Sequence, residues 1–344
     1  MAKMLQYIAE QPDVVRTVAR AYGPGGSLAA QLREAVQILR SRPHVLLLGM
    51  GSSLFSSELF SQYGNVPSFP VDTSELIYYR RALLDADAAV LAISQSGESV
   101  ETRKAVAMFA GRLPIVAITN NVESSIARES DAVLPMLAGE ETGPACKTYV
   151  ATQAVLSLLI AGLDGGVDHC VEALDAAASG MERAVEESEP NVRAFLDRCR
   201  SARSFVYLGR GPGVVSANQS ALMTKEMTSL HAEAMSAGQY RHGPIEVSGP
   251  DVPHILFAPH GKTHHLMCGL ARDLCAYDTP VLLVTDHAPD DIPGATLMPV
   301  ATVPEELSPL VQIVPIQRLN TYLALREGMT PGELRRIPKV VVNE

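Results

Sequence analysis

The sequence predicts an α/β fold made of two tandem, doubly wound parallel-sheet domains, with a helical N-terminal segment and a helical connector. Short, wholly apolar stretches alternate along the chain with stretches of helical periodicity, an order typical of parallel strands joined by crossover helices. The same series of apolar stretches recurs in the second half at similar spacing. At 344 residues, the chain is also long for one core and comfortable for two domains.

These patterns divide the chain into N-terminal helices, a first domain, a connector, a second domain and a tail, over residues 1–42, 43–163, 164–203, 204–329 and 330–344. The N-terminal segment is predicted to form two helices broken at YGPGG, and Ser27 suits the N-cap of the second. The connector has helical periodicity with mixed charge, and a packed helix followed by a linker is the alternative.

The first domain opens with a predicted buried strand, HVLLL, followed by a glycine turn and a helix. Its strands are predicted at 44–48, 69–71, 89–93, 113–119 and 132–136, and its helices at 54–63, 74–84, 100–109, 124–129 and 148–163. Repeated β–α–β spacing of this kind indicates a parallel, doubly wound sheet.

The second domain repeats this series. FVYLGRG at 205–211 corresponds to VLLLGMG at 45–51. The stretches at 254–258, 280–285 and 296–300 correspond to those at 90–94, 114–119 and 132–136. Helices are predicted from about residue 214 and over 310–326. Four stretches in the same order predict a tandem duplication of one α/β unit.

Composition limits the classes of partner. A formal net charge of −10 and a pI near 5.4 argue against a nucleic-acid or anionic-membrane partner, although a local basic pocket for a small anion is compatible with them. The five cysteines are scattered and include no CxxC pair, which favours free thiols in a reducing cytoplasm. No signal peptide or membrane-spanning run is evident, so we expect a cytoplasmic protein.

The chain is organised around a hydroxyl-rich loop at 94–99, SQSGES, which follows a buried strand and precedes a helix. Such a loop directs backbone N–H groups, hydroxyls and the positive end of a helix dipole to one point, so it predicts a phosphate site. The alternative is an ordinary N-cap, in which Ser96 or Ser99 satisfies the first helical amides and nothing binds.

A second strand–turn–helix unit carries the sequence GMGSS at 49–53. A glycine turn between a strand and a helix brings backbone close to a ligand, so a nucleotide has to be considered. The third glycine of a dinucleotide fingerprint is missing, however, because Leu54 stands in its place.

The densest polar cluster is KEMTSLHAEAMSAGQYRHGP at 225–244. Glu226 lies within a predicted helix near the ligand edge of its sheet, where a carboxylate can move a proton between adjacent carbons of an open-chain sugar; a solvated helical glutamate is the alternative. His242 lies in a glycine–proline turn and can protonate and open a sugar ring, or it is a surface turn histidine. His231 and Glu233 are interpreted as a buried polar pair.

Two further clusters are given structural interpretations. His264 and Cys268 are four residues apart, a spacing that can bind zinc, but no second pair with ligand spacing exists. Cys146 has only Lys147 as a charged neighbour in sequence, so a structural thiol is favoured over a nucleophile. We therefore expect no metal and no cofactor.

In combination, SQSGES, the LGRG turn, the 225–244 cluster and the C-terminal ELRRIPKVVVNE make residues 40–344 resemble the tandem sugar-isomerase (SIS) domain proteins. The resemblance is to the isomerase half of glucosamine-6-phosphate synthase and to stand-alone glucosamine-6-phosphate deaminases and fructosamine-6-phosphate deglycases. It implies two flavodoxin-like SIS domains and a homodimer.

The resemblance also implies residue roles. The phosphate is expected on a cradle formed by Ser53, Ser94, Gln95, Ser96 and Ser99, and the sugar beside Gly51, Ser52, Ala145 and Lys225. The base for proton transfer corresponds to Glu226, and the lysine close to the sugar carbonyl to Lys339. The ring-opening histidine corresponds to His242, which in this family often reaches the site from the partner subunit.

Three departures from the synthase pattern matter. The chain contains no glutamine amidotransferase domain, so glutamine-dependent synthesis by this polypeptide alone is not expected. Met223 stands where the synthase has a lysine, so that cation is missing or is supplied by Lys225. Ala145 replaces a serine, which removes one sugar or phosphate contact.

The expected reaction is the conversion of glucosamine 6-phosphate to fructose 6-phosphate and ammonia. A deglycase acting on a 6-phosphorylated fructosamine is the alternative; GPIE at 243–246 leans toward it, and HAEA at 231–234 leans toward a deaminase. A sugar-phosphate sensor without turnover is the alternative from another class, although it would give Glu226, His242 and Lys339 no purpose.

Overall fold

The computed structural model describes residues 3–287 and 292–341, and the chain divides into two compact units. The first unit comprises Asp13–Asp175 and Leu334–Glu344, and the second comprises Met1–Pro12 and Ala176–Glu333. Each unit contains one parallel sheet with helices on both faces, so the predicted α/β doubly wound class is confirmed.

The elements alternate along the chain as the periodicity predicts. The strands are β1 (His44–Gly49), β2 (Ser68–Asp72), β3 (Ala88–Ile93), β4 (Ile115–Thr119), β5 (Ala132–Pro135), β6 (Ser204–Gly209), β7 (His231–Ser236), β8 (His254–Phe257), β9 (Val281–Thr285) and β10 (Ala295–Pro299). The helices are α1 (Lys3–Tyr22), α2 (Ala29–Arg40), α3 (Ser52–Tyr63), α4 (Thr73–Tyr78), α5 (Val100–Phe109), α6 (Ser125–Arg128), α7 (Lys147–Asp164), α8 (Val167–Glu187), α9 (Glu189–Arg198), α10 (Pro212–Thr228), α11 (Ala237–Tyr240), α12 (His264–Ala276) and α13 (Ser308–Arg326).

The first unit has the strand order β2-β1-β3-β4-β5, with every pair parallel. The central strand β3 is buried at all six positions, as a strand covered on both faces should be. Val90 packs with Leu46 of β1 and Phe109 of α5 in one hydrophobic cluster. The order places a switch point between β1 and β3, where the connections leave on opposite faces and open a crevice.

The second unit repeats this topology, with the order β7-β6-β8-β9-β10 and parallel pairing throughout. Alternate residues of β6 enter different clusters, Phe205 and Tyr207 on one face and Val206 and Leu208 on the other. Every correspondence predicted between the two halves pairs strands at equivalent positions in the two sheets. The duplication is therefore present in strand order as well as in sequence.

The two glycine turns are also alike in backbone geometry. Gly51 has φ 50° and ψ −124°, and Gly211 has φ 52° and ψ −132°; each precedes the first residue of a helix. This region of φ and ψ is accessible essentially to glycine alone. The turn that brings backbone to the switch point is therefore set by the same residue type in both units.

Some predicted elements differ from the observed ones. The edge strand β7 was not predicted, and it carries His231 and Glu233 on its exposed positions, so the prediction that they form a buried pair is wrong. The helix predicted at 74–84 ends at Tyr78 and continues as a 3₁₀ turn that buries Leu84. Leu28, not Ser27, is the N-cap residue of α2.

The connector and the tail differ in secondary structure. The connector forms the two helices α8 and α9, and no helix or strand is assigned in the described part of the tail, up to Val341. Within residues 3–287 and 292–341, no helix is both long enough and apolar enough to cross a membrane.

Candidate active site

The candidate site of the first unit lies at the carboxyl edge of its sheet, at the switch point between β1 and β3. The turn after β1 carries Gly51, Ser52 and Ser53, and the loop at 94–99 follows β3 directly. Because neighbouring parallel strands end at the same edge, the topology brings these two hydroxyl-rich segments together. These are the two segments that the family resemblance assigns to the phosphate cradle.

The loop at 94–99 is held open by its own hydrogen bonds. Gly97 N donates to the Ser94 hydroxyl at 3.2 Å, and Glu98 N donates to the Ser96 hydroxyl at 3.1 Å. Gln95 O accepts from Asn120 N at 3.0 Å, which ties the loop to the end of β4. Ser94 is buried and the other hydroxyls are half-buried, so the loop is fixed in place and still reachable from solvent.

Gly97 is required at its position. It has φ +66°, and a Cβ built there would lie 1.9 Å from the Ser124 hydroxyl oxygen. Ser124 is itself committed, because its side chain caps α6 through Ala127 N. The sharp turn of the loop therefore depends on the absence of a side chain at this one residue.

The carboxylate of Glu98, in the loop at 94–99, accepts a hydrogen bond from a backbone amide. Glu98 Oε1 accepts from Ser125 N at 2.7 Å, and this hydrogen bond holds the pKa of the Glu98 carboxyl below its usual value. The bond engages the carboxylate with the start of α6, where its charge is stabilised.

The ordinary-cap alternative does not describe Ser99. This residue is the N-cap of α5, yet its side chain makes no capping hydrogen bond; its hydroxyl lies 3.4 Å from that of Ser94. The first helical amide, Val100 N, donates instead to Val341 O of the C-terminal tail at 3.1 Å. The tail thus takes over the capping of α5, and Ser99 Oγ retains the capacity to donate a hydrogen bond to a ligand.

The tail also places Lys339 beside the loop that precedes α7. Lys339 Nζ donates to Glu141 Oε1 at 2.9 Å and to Gly143 O at 2.7 Å. An ammonium group has three donors, so one N–H is left for a ligand. Two residues after the lysine, the tail bonds to α5, so one short segment connects Lys339 to the start of the helix after the serine loop.

Glu141 anchors this arrangement, although it is not among the residues predicted from the sequence. Its side chain is fully buried and its carboxylate accepts from Cys146 N at 3.0 Å, from Thr148 N at 3.2 Å and from the Thr148 hydroxyl at 2.6 Å, as well as from Lys339. A buried carboxylate with four donors fixes the cation that it faces. A lysine predicted in a site needs a nearby carboxylate to position it, but no spacing in the sequence identifies Glu141 as that carboxylate.

The other predicted contacts of the first unit lie in the same segment. Ala145 is half-buried and Cys146 is buried just before α7. Cys146 N is one of the donors to Glu141, so the backbone of this residue helps to hold the ion pair.

In the second unit, Glu226 and Lys225 lie in the last turn of α10. Glu226 is fourteen positions after Pro212, where the helix begins at the carboxyl end of β6, which corresponds to a rise of about 21 Å. The expectation that Glu226 lies at the ligand edge of its own sheet is therefore wrong, since α10 runs back along the sheet toward the opposite edge. Met223, at the position of the missing lysine, is fully buried.

His242 lies at the other end of this unit. It is exposed after α11 and lines a cavity together with Arg210 and Gly211, which immediately precede α10. Hydrogen bonds to buried groups hold the turn in place. Tyr240, two residues before His242, has its Oη 2.5 Å from His254 Nε2, and His254 Nδ1 lies 2.7 Å from Val252 O. Burial lowers the pKa of His254 to about 4, so this histidine is neutral at pH 7.

The structure therefore links Lys339 through the C-terminal tail to the helix that follows the serine loop, and it places Glu226 and His242 at opposite ends of α10 in the second unit. In the described residues, no group of three or more His, Cys, Asp or Glu side chains could hold a metal ion.

Comparisons with known proteins agree with this architecture. A model of the SIS domain matches residues 38–162 and again 199–325. A glutamine–fructose-6-phosphate aminotransferase (isomerizing) from Pyrococcus horikoshii is 31% identical over 354 residues, which cover 99% of this chain; the chain spans only 58% of that relative's length.

Two solved structures are similar in fold. The C-terminal domain of glucosamine-fructose-6-phosphate aminotransferase from Francisella tularensis has a TM-score of 0.85 at 21% identity, covering 96% of this chain and 98% of its own. A glucosamine-6-phosphate deaminase from Thermotoga maritima has a TM-score of 0.73 at 22% identity, covering 99% of each chain.

Proposed function

This chain belongs to the SIS domain family, and we propose that it deaminates glucosamine 6-phosphate to fructose 6-phosphate and ammonia. The family membership and the similarity to the isomerase part of an aminotransferase support a phosphosugar isomerase type of enzyme. The observation that carries the finer proposal is the tail segment that joins Lys339 to the start of the helix after the serine loop.

The phosphate is held by the hydroxyls of Ser94, Ser96 and Ser99, with Gln95 in the same loop and Ser53 from the neighbouring turn. Hydroxyl and backbone N–H donors can bind a phosphate dianion even though the loop contains no basic side chain. Binding energy from this non-reacting end of the sugar is available to orient the carbons where the chemistry occurs. The sugar hydroxyls are placed by Gly51, Ser52 and the segment that contains Ala145.

Lys339 acts as a cation that binds the carbonyl oxygen of the open-chain sugar. The ion pair with Glu141 supports this role over that of a free amine nucleophile, because a paired ammonium has no lone pair to attack carbon. Its remaining N–H can stabilise the negative charge that develops on oxygen when the neighbouring C–H bond is broken.

Glu226 moves the proton. As a carboxylate it removes the proton from C2 of the open-chain amino sugar and returns it to C1, so that the amino group becomes an imine at C2. Water then adds to that imine and ammonia leaves, which gives fructose 6-phosphate. The step consumes one water and needs no oxidant, reductant or cofactor. Lys225, next to Glu226 and exposed, supplies a cation in place of the lysine that Met223 replaces.

His242 opens the sugar ring, and we assign it to the site of a second copy of the chain. Along α10 alone, about 21 Å separates Glu226 from the helix end beside which His242 lies. A hexose phosphate is too short to contact both residues of one chain. A homodimer in which each copy lends His242 to the other satisfies this separation.

The test is a turnover assay with glucosamine 6-phosphate that follows fructose 6-phosphate and ammonia together. We expect equal amounts of both products, a loss of at least about 100-fold in kcat for Glu226→Gln, and unchanged turnover for Glu172→Gln, an exposed helical glutamate. Full turnover by Glu226→Gln would refute the base. Folded protein that gives neither product would refute the deaminase, and 6-phosphorylated fructosamines would then be tried as substrates.

Subunit exchange tests the assignment of His242. Neither Glu226→Gln nor His242→Asn alone should turn over, whereas an equal mixture of the two should recover about a quarter of the wild-type rate, because each mixed dimer contains one intact site. No recovery after demonstrated exchange would show that both residues serve the same copy.

A further inference from the structure

The second unit contains a cavity of about 560 Å³ at the carboxyl edge of its sheet, and His242 is the one lining residue that has a role in the proposed reaction. Its polar side chains are Arg210, Ser236, Gln239, Arg241, His242 and Thr263. The volume falls within the range of about 300–1,000 Å³ that is usual for small-molecule sites. We call it the Arg210 cavity.

The Arg210 cavity occupies the position in the second unit that the serine loop occupies in the first. Arg210 and Gly211 follow β6, as Met50 and Gly51 follow β1. Thr263 ends the loop after β8, where the sequence APHGKT at 258–263 stands in place of SQSGES at 94–99. The strand order is the same, so this loop also lies at a switch point.

The loop at 258–263 contains no serine, and the neighbouring turn contributes the positive charge of Arg210. Arg210 has no hydrogen bond or ion pair with any residue in the described ranges 3–287 and 292–341. Its guanidinium lies over Gly238, where an added Cβ would be 2.9 Å from Arg210 Nη2. An arginine that lines a cavity without a carboxylate partner is a ready anion contact, since its planar fork matches a phosphoryl group.

Two carboxylates limit where an anion can lie. Arg241 is paired with Asp273 at 2.6 Å, which neutralises part of its charge. Glu305 packs against Gly261, where an added Cβ would lie 2.4 Å from the carboxyl carbon, so the glycine of this loop is closed to a phosphate. The favourable position is therefore beside Arg210 and Thr263. Thr263 is the N-cap residue of α12 and makes no capping hydrogen bond, so its hydroxyl is available.

We propose that the Arg210 cavity binds a second hexose monophosphate, with the phosphoryl group on Arg210 and Thr263 and the sugar hydroxyls on Ser236 and Gln239. The side chains that line it include no carboxylate and no lysine. Of the three groups assigned to the reaction it contains His242 but neither Glu226 nor Lys339, so it binds the sugar without moving a proton between its carbons. The inference goes beyond the proposed reaction and does not depend on it.

The test counts fructose 6-phosphate sites by isothermal titration calorimetry without ammonia, where any isomerisation still leaves a hexose 6-phosphate. We expect two sites per chain in the wild-type protein. Arg210→Gln should weaken one of them at least tenfold and leave turnover of glucosamine 6-phosphate within twofold. A Ser94→Ala, Ser96→Ala double variant should lose the other site. Arg200→Gln, which removes an exposed arginine of the same unit, should retain both.

Gly238→Ala provides a variant that keeps every charge. Its methyl group must displace the Arg210 guanidinium, so the second site should weaken while the first is unchanged. One site per chain in wild-type protein, or two undiminished sites in folded Arg210→Gln, would overturn the proposal. Inorganic phosphate that binds the second site as tightly as fructose 6-phosphate would overturn the hexose assignment. None of these outcomes depends on whether ammonia is released, so failure of the reaction and failure of the cavity are distinguishable.

Discussion

Replacing Glu141 by glutamine tests whether a buried carboxylate positions Lys339. The substitution keeps the size of the side chain and converts one acceptor oxygen into an NH₂ donor. If the new NH₂ faced Cys146 N and Thr148 N, two buried N–H groups would lose their acceptor, at about 1–3 kcal/mol each. The other orientation is cheaper, because the Thr148 hydroxyl can rotate and accept, so the amide should take the place of Oε1.

That orientation points the NH₂ at Lys339. The loss of stability is therefore set by the loss of this one hydrogen-bond acceptor for the ammonium group. A hydrogen bond to a charged group is worth about 1.5–3 kcal/mol when buried. Because the Lys339 side chain is 24% exposed, water partly replaces the carboxylate, and we expect a loss of about 2 kcal/mol in the free energy of unfolding. The same change should lower kcat at least tenfold and alter KM less than threefold, since the serine loop is untouched.

Urea unfolding followed by circular dichroism measures the first quantity, and steady-state kinetics measure the second. Glu140→Gln is the matched control, because its carboxylate is exposed and adjacent in sequence; it should change stability by less than about 0.5 kcal/mol. In a double-mutant cycle with Lys339→Met, the two single effects should not add. An unfolding free energy for Glu141→Gln within about 0.5 kcal/mol of wild type would refute the reasoning.

Three further predictions concern the loop, the buried histidine and the missing lysine. Gly97→Ala should destabilise the protein by at least about 2 kcal/mol and raise KM, because the new methyl group meets Ser124 at a positive φ; Gly111→Ala, at φ +71° with open space around it, should cost only about 1 kcal/mol in urea unfolding. The pKa of His254 falls from 6.5 to about 4 on folding, so the unfolded chain binds the additional proton and the free energy of unfolding should drop by about 3 kcal/mol as pH falls through that window. His254→Gln should flatten that part of the pH profile. Met223→Lys should destabilise the protein by about 3 kcal/mol and restore no activity, because residue 223 is fully buried; a folded variant with raised kcat would contradict this.

The sequence was sufficient for most of the sheet. The buried strand β3 consists wholly of apolar residues, and its counterpart β8 recurs with similar spacing, so periodicity and repetition identified both. Strand β7 was missed for a physical reason. It is an edge strand with exposed His231 and Glu233, and an edge strand lacks the continuous apolar run that marks a buried one.

The candidate site was predictable where it is local in sequence and unpredictable where it depends on distant pairing. The serine loop is recognisable in the sequence because a predicted strand, a run of hydroxyl residues and the start of a predicted helix follow one another directly. Glu141 and Lys339 are 198 residues apart, and nothing in either segment's composition indicates that they meet. The position of Glu226 was misjudged because helical periodicity assigns a residue to α10 without saying which edge of the sheet that turn reaches.

The duplication accounts for the different chemistry of the two proposed anion sites. Both units place a glycine turn and a strand–loop–helix segment at a switch point, so the backbone alone offers two equivalent crevices. In the first, the loop at 94–99 carries three serine hydroxyls, and the tail that caps α5 also holds Lys339 in an ion pair with Glu141. In the second, the Glu305 carboxylate packs against Gly261, and Arg210, which has no partner among residues 3–287 and 292–341, lines the cavity on the other side. The first crevice has the positioned lysine that carbonyl chemistry requires, whereas the second has an arginine for an anion and neither Lys339 nor Glu226.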